Sequence, residues 1–197
     1  MKDFFINKLF LLITNSNNYF SELELQKIKY GLEGLYLMIT KLIIIFSLSL
    51  VLNIFIETIL LIIIFGGIRY FGFGLHAKTS KQCLIFSSLL FIVLPYTFYN
   101  LNFNLFTEIL IFSTCFINLL IFAPSDTEKR RFKNRKKYLI RKFLTLIVTC
   151  IYIFLYYFTD DLNKFFMISL IIQSIIVNPL IYKLMGIKYN YDLLRIK

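Results

Sequence analysis

His76 is the only histidine in the 197-residue chain, and Cys83 follows it by seven positions. Brought together, these two side chains form a base–nucleophile pair, in which the imidazole takes the thiol proton and the sulfur attacks a carbonyl carbon. They lie in the stretch Arg69-Tyr-Phe-Gly-Phe-Gly-Leu-His-Ala-Lys-Thr-Ser-Lys-Gln-Cys83. There Gly72 and Gly74 loosen the backbone ahead of the histidine, and Arg69, Lys78 and Lys81 add positive potential. The plain alternative is a histidine at a headgroup boundary and a cysteine acting as a small apolar residue at a helix start, and spacing alone does not separate the two. Helix geometry adds a constraint. Seven residues of regular helix set two side chains on nearly one face but about 10.5 Å apart along the axis, whereas a working dyad needs about 3–3.5 Å. The sequence therefore predicts a break between His76 and Cys83, at Thr79-Ser80, or a pair assembled across a dimer.

The other two cysteines, Cys115 and Cys150, fall in apolar runs, where the thiol is an ordinary small hydrophobe. Three cysteines without paired spacing argue against a disulfide framework. One histidine and one accessible cysteine fall short of the three or four protein ligands that zinc takes.

The elements that must position this stretch are membrane helices. The chain is 58% hydrophobic with a mean hydropathy of +0.74, against about 45–50% apolar for a soluble domain. Runs such as Ile59-Leu-Leu-Ile-Ile-Ile-Phe65 are apolar on every face, which fits a helix in lipid and not the alternation of a membrane barrel. The expected fold is all-α: a single membrane-embedded domain over 1–197, with about six transmembrane helices and an N-terminal amphipathic helix at the surface. A capping box at Ser21 and Glu24 starts a helix that runs into a first span at 34–52. The other spans are expected at 54–68, 84–99, 105–123, 143–158 and 165–182. Residues 1–33 form the interfacial N-terminal region, 66–83 the candidate catalytic stretch, and 124–142 a basic loop opened by Pro124.

The net charge of +11 is explained by the membrane rather than by nucleic acid. Of the 22 Lys and Arg, 4, 3, 9 and 4 fall in 1–33, 66–83, 124–142 and 183–197, which all share a side with the N-terminus. The positive-inside rule then places both termini and the His76–Cys83 stretch in the cytoplasm, where thiols stay reduced. Lys41 lies inside the first span, where it can face the bundle, face a partner subunit or snorkel.

Three blocks carry a resemblance to a known family: Tyr30-Gly-Leu-Glu33 at the first span, Arg69, Gly74, His76, Ala77 and Cys83 in the middle, and Ala123-Pro-Ser-Asp-Thr127 at the loop. In these the chain resembles the accessory gene regulator B family, bacterial membrane peptidases that process the precursor of a cyclic quorum-sensing peptide. Two features depart from it. Phe73-Gly74 stands where many members have paired glycines, and Lys129-Arg-Arg-Phe132 stands where a proline often follows the first basic residues.

The resemblance implies a cysteine endopeptidase in the bacterial cell membrane. Cys83, activated by His76, would cleave the C-terminal part of a propeptide with an amphipathic leader and an acidic C-terminal region. The thioester so formed would be resolved by the peptide's own cysteine or serine as a thiolactone or lactone, without a cofactor. Supporting residues are Arg69, Gly74 and Glu33. The bland alternatives are a snorkelling cation for Arg69 and an interfacial carboxylate for Glu33. The loop at 124–142, with Asp126 and Glu128 against nine cations, is net +7. Its Lys129, Arg130, Arg131, Lys133, Arg135, Lys136 and Lys137 are candidates to recruit the acidic tail, beside an ordinary role against lipid headgroups. The expected partners are the propeptide, membrane lipids and a second copy in a homodimer, with no nucleic acid. A peptide transporter without proteolytic activity is the competing reading, and a non-catalytic scaffold or sensor is a third. Few intramembrane charges and no internal repeat count against the transporter.

Overall fold

A computed structural model describes residues 2–15, 20–75, 79–98, 101, 103–125, 134–187 and 189. Its elements are α1 (Lys2–Asn15), α2 (Glu22–Val51), α3 (Phe55–Gly72), α4 (Ser80–Ser88), a π-helical segment (Leu89–Val93), α5 (Leu94–Phe98), α6 (Leu105–Phe122), α7 (Arg135–Phe158), α8 (Asn163–Val177) and α9 (Pro179–Leu184). Four of these, α2, α3, α6 and α7, are long and apolar enough to cross a membrane. The chain divides into two compact units, 1–48 and 49–197.

In the first unit, the expected capping box starts α2. The Glu24 carboxylate accepts from the Ser21 backbone N–H at 2.9 Å and from its hydroxyl at 2.8 Å. Such a cap satisfies N–H groups that a helix start leaves without intrahelical partners. In the same unit, Phe5 of α1 packs its ring 5.6 Å from that of Tyr36.

The second unit is built around α8. Phe165 to Leu170, Ile172 to Ser174, Ile176 and Val177 are all buried, because the helix is apolar on nearly every face and is enclosed by α3, α6, α7 and α5. One core flank joins it to Ile68, Phe112, Leu119 and Tyr156, the other to Leu61, Leu75, Leu90 and Tyr182. In lipid, such packing rests on van der Waals contact and interhelical hydrogen bonds rather than on the exclusion of water. Asn118 of α6 supplies two such bonds, donating at 2.7 Å to the Ser174 hydroxyl and at 3.3 Å to its carbonyl.

Three boundaries differ from the sequence expectation. The helix expected at 165–182 ends at Val177, since Asn178 turns extended and caps α9 by accepting from the Leu180 N–H at 2.9 Å, with Pro179 as the first helical residue. At 15 residues α8 is only about 22 Å long, short of the roughly 30 Å hydrocarbon layer. The basic loop is also shorter than expected. Asn134 accepts from the Lys136 N–H at 2.8 Å and starts α7 at Arg135, so Arg135, Lys136, Lys137, Arg141 and Lys142 are helical. Finally, the third apolar stretch bends. Pro95 has no N–H for the Phe91 carbonyl one turn earlier, the helix passes through π geometry at Leu89–Val93, and the Thr58 hydroxyl of α3 donates to that carbonyl at 3.3 Å. A neighbouring threonine satisfying a freed carbonyl is how a spanning helix tolerates proline.

Candidate active site

The Arg69–Cys83 stretch begins as the last turn of α3, and three successive features stop that helix. Phe73 takes φ 52°, ψ −136°, with its N–H still bonded to the Arg69 carbonyl at 3.2 Å. Gly74 follows at φ 113°. Arg69 then folds its guanidinium back over the turn, donating to the carbonyl of Phe73, to that of Gly74 at 3.4 Å and to that of Leu75 at 2.5 Å. The planar fork of the arginine thus collects three successive carbonyls of the turn just beyond the helix end.

Two other segments are stitched to this turn. The Gly74 N–H donates to the Ser125 carbonyl at 3.2 Å, and Phe73 and Ser125 form a parallel bridge. The Leu75 N–H donates to the Ile176 carbonyl at 2.9 Å. Ser125 is buried and shares a 2.8 Å hydrogen bond with the Tyr182 hydroxyl of α9. The Ala123–Pro124 bond that delivers Ser125 is cis. Two of the blocks singled out in the sequence are thus in direct backbone contact, although about fifty residues separate them.

The conformation of Phe73 bears on the departure noted above. Its positive φ belongs to a region where glycine sits without steric cost, and a residue with a Cβ there carries about 1–3 kcal/mol of strain. The ring has a compensating contact, since the Arg141 guanidinium of α7 lies 4.3 Å from its centroid and 5.5 Å from that of Tyr70. Arg141 also donates to the Tyr70 carbonyl at 2.8 Å. A cation–π pair at such a partly exposed position is worth about 0.5–1 kcal/mol, which offsets part of the strain.

Beyond Leu75 the description resumes at Thr79, which is extended at φ −115°, ψ 154° and caps α4. Its hydroxyl accepts from the Gln82 N–H at 3.3 Å, while its own N–H donates to the Gln82 side chain at 3.4 Å. The break expected between His76 and Cys83 is present at this residue. Cys83 is half-buried in the first turn of α4, its N–H bonded to the Thr79 carbonyl at 3.0 Å.

Of the other residues singled out by sequence, His76, Lys129, Arg130, Arg131 and Lys133 lie outside the described residues. Arg135, Lys136 and Lys137 are exposed on the first turn of α7. Glu33 is half-buried on α2, in the first unit. Among the described residues no three His, Cys, Asp or Glu side chains converge as metal ligands.

One residue that the sequence reading passed over belongs to this site. Gln173 of α8 is fully buried and donates through Nε2 to the Phe73 carbonyl at 3.0 Å. Its available signal was a primary amide inside the apolar run Phe165–Val177, an expensive group to place in a membrane helix. Gly72 makes room for it, because a Cβ at that position would strike the amide nitrogen. The other half of the amide, Oε1, has no hydrogen-bond partner among the described residues, a vacancy that costs about 1–3 kcal/mol when buried.

Comparison with known proteins identifies the family of the chain. The family model described as Accessory gene regulator B matches residues 6–178. A putative AgrB-like protein of Clostridium acetobutylicum is 34% identical over 180 residues, covering 86% of this chain and 82% of that protein. A putative AgrB-like protein of Listeria monocytogenes is 31% identical over 171 residues, covering 84% and 83%. The Accessory gene regulator protein B of Staphylococcus aureus is 30% identical over 183 residues, covering 91% and 97%. No solved structure matches the chain. With the family model spanning most of its length and relatives at this identity aligned nearly end to end, the chain belongs to the accessory gene regulator B family.

Proposed function

We propose that this chain is a membrane cysteine endopeptidase that processes and cyclises the propeptide of a quorum-sensing autoinducer. The observation that carries the reading is the double interruption of the helix, at Phe73–Leu75 and at Thr79. It frees His76 and Cys83 from the fixed separation of about 10.5 Å that a continuous helix would impose and puts the thiol on a first helical turn. Family membership supports the same chemistry.

In this mechanism His76 takes the proton of Cys83, and Sγ attacks the carbonyl carbon on the C-terminal side of the future ring. The C–N bond breaks, the imidazolium returns its proton to the departing amine, and the remainder of the peptide stays as a thioester on Cys83. A cysteine thiol or serine hydroxyl of the same peptide attacks that thioester, the ring closes as a thiolactone or lactone, and Cys83 is released. Thioester exchange conserves the acyl-transfer energy, so no nucleotide enters. Arg69 and Gly74 keep the turn in place. In the membrane the chain crosses six times, with both termini and the site cytoplasmic, and works as a homodimer.

The test is a trapped acyl-enzyme. Denaturing full-length protein during turnover of the co-expressed propeptide and digesting it should yield a Cys83 peptide carrying the mass of the propeptide fragment. An adduct on Cys115 or Cys150, or none while cleavage proceeds, refutes the assignment.

The basic region recruits the acidic tail of the propeptide. Reversing Arg135, Lys136 and Lys137 to glutamate should raise KM about tenfold or more with kcat within about twofold, because a charge that attracts substrate equally in ground and transition states acts on KM. The effect should shrink at high ionic strength. A change confined to the amount of protein inserted in the membrane removes the recruitment role.

A further inference from the structure

The Phe73–Leu75 turn is held from two sides. Arg69, and Gln173 through Nε2, donate to its carbonyls, and these nitrogens cannot accept an N–H. The N–H groups go elsewhere, that of Leu75 to the Ile176 carbonyl and that of Gly74 to the Ser125 carbonyl. Ile176 belongs to the buried helix α8, whereas Ser125 lies past the end of α6 and outside any helix. What ties its side chain is Tyr182: the two buried hydroxyls share a 2.8 Å hydrogen bond. Tyr182 sits on α9, a short helix closed at both ends. Asn178 and Pro179 start it. Beyond its other end Gly186 takes φ 60°, with its N–H on the Lys183 carbonyl at 3.1 Å and the Ile187 N–H on the Tyr182 carbonyl at 2.8 Å. Such a pair of bonds around a left-handed glycine turns a chain out of a helix. Here it brings Tyr189 back, its ring edge-on to that of Tyr182 at 4.9 Å and its hydroxyl donating to the Phe122 carbonyl at 3.4 Å. Tyr182 and Tyr189 thus grip the segment Phe122–Ser125 at both of its ends.

Resting on the peptidase reading above, we propose that Tyr182 is a positioning residue of the peptidase: its hydroxyl holds that of Ser125, and the Ser125 carbonyl holds the Gly74 N–H, so that α9 fixes the turn at the head of the candidate catalytic stretch. Without the phenol hydroxyl, the buried Ser125 hydroxyl loses this partner, and the carbonyl of the same residue loses its aim at Gly74. Gly74 is the sensitive link, because a glycine released from its bond has more conformations open to it than any other residue. Arg69 still collects the carbonyls, so the turn loosens without coming apart. The loss falls on the alignment of reacting groups, and therefore on kcat rather than on KM.

The test uses full-length protein in lipid nanodiscs and two measurements. Hydrogen exchange at the Gly74 amide, read by mass spectrometry with electron-transfer fragmentation, reports the link itself and needs no propeptide. Steady-state cleavage of the propeptide reports its consequence. Y182F keeps the ring in its cluster with Leu75 and removes the hydroxyl, while S125A keeps the backbone carbonyl and removes the hydroxyl's partner. Each should speed Gly74 exchange about tenfold, leave the amides of α7 unchanged, and lower kcat about tenfold with KM within about twofold. The double variant should be no worse than the slower single one, as expected of two groups that act only through each other. A hydroxyl serving stability alone would reduce the amount of folded protein and leave both readings of the folded fraction unchanged, which overturns the proposal. Faster Gly74 exchange with unchanged kcat overturns it too, as do losses that add in the double variant. S125A, the smaller change, decides should Y182F fail to fold. Cleavage that survives C83A removes the peptidase reading, and the positioning role with it, even where Gly74 exchange responds as expected.

Discussion

Replacing Cys83 with alanine should lower propeptide cleavage by about 10³-fold or more, the scale expected when the nucleophile of a covalent mechanism is removed. The substitution is structurally mild. Cys83 is half-buried, its N–H bond to the Thr79 carbonyl is a backbone bond that alanine keeps, and alanine suits a helix at least as well. Membrane abundance should therefore match that of the unaltered protein. The measurement is cleavage of the co-expressed propeptide, normalised to protein recovered from the membrane. Cleavage that survives C83A refutes the peptidase reading, and survival of cleavage with loss of export points instead to a transporter.

Gly74→Ala should cost about 10²-fold in kcat and lower the stability of the folded protein. Two physical effects act together. At φ 113° an added Cβ is strained whatever space surrounds it, at about 1–3 kcal/mol. That Cβ would also lie 2.9 Å from the Ile176 carbonyl oxygen and 2.5 Å from the Arg69 guanidinium. The arginine can swing aside, but the Ile176 carbonyl is backbone of the buried α8 and accepts from Leu75, so it cannot. Relief requires the turn to lift off α8, and a misplacement of about 1 Å at a reacting group can cost about 10²-fold. Steady-state kinetics together with thermal unfolding in detergent check both parts. Unchanged kcat in G74A would mean that the turn does not position the reacting groups.

Helix identity was legible because apolar runs and capping residues are local signals. The Ser21–Glu24 box, the end of the fourth apolar run before Pro124 and the break at Thr79 are all found where the residues place them. Boundaries went wrong where a single capping residue outweighed the hydropathy around it. Asn178 ended a run that stays apolar to Tyr182, and Asn134 recruited five basic residues into a helix. The family was legible from three short blocks, the middle one above all.

The sequence by itself determined that the chain is helical and apolar enough for a membrane, which residue pair is the candidate for the reactive chemistry, and that one straight helix cannot bring that pair into contact. These follow from composition, residue type and 3.6-residue periodicity, which need no knowledge of neighbours. Only the tertiary structure decided that α8, shorter than each of the four helices long enough to cross a membrane, is the buried axis of its unit. It alone showed that Ser125 and Ile176 receive the backbone N–H groups of the turn, that Arg141 covers Phe73, and that Gln173 holds its carbonyl. Those contacts join residues from about fifty to one hundred positions apart, and a buried carbonyl takes whichever donor the packing of helices brings to it. The stretch from Arg69 to Cys83 contains the candidate reactive groups, while the contacts that hold its Phe73–Leu75 turn come from α7, α8 and the segment after α6.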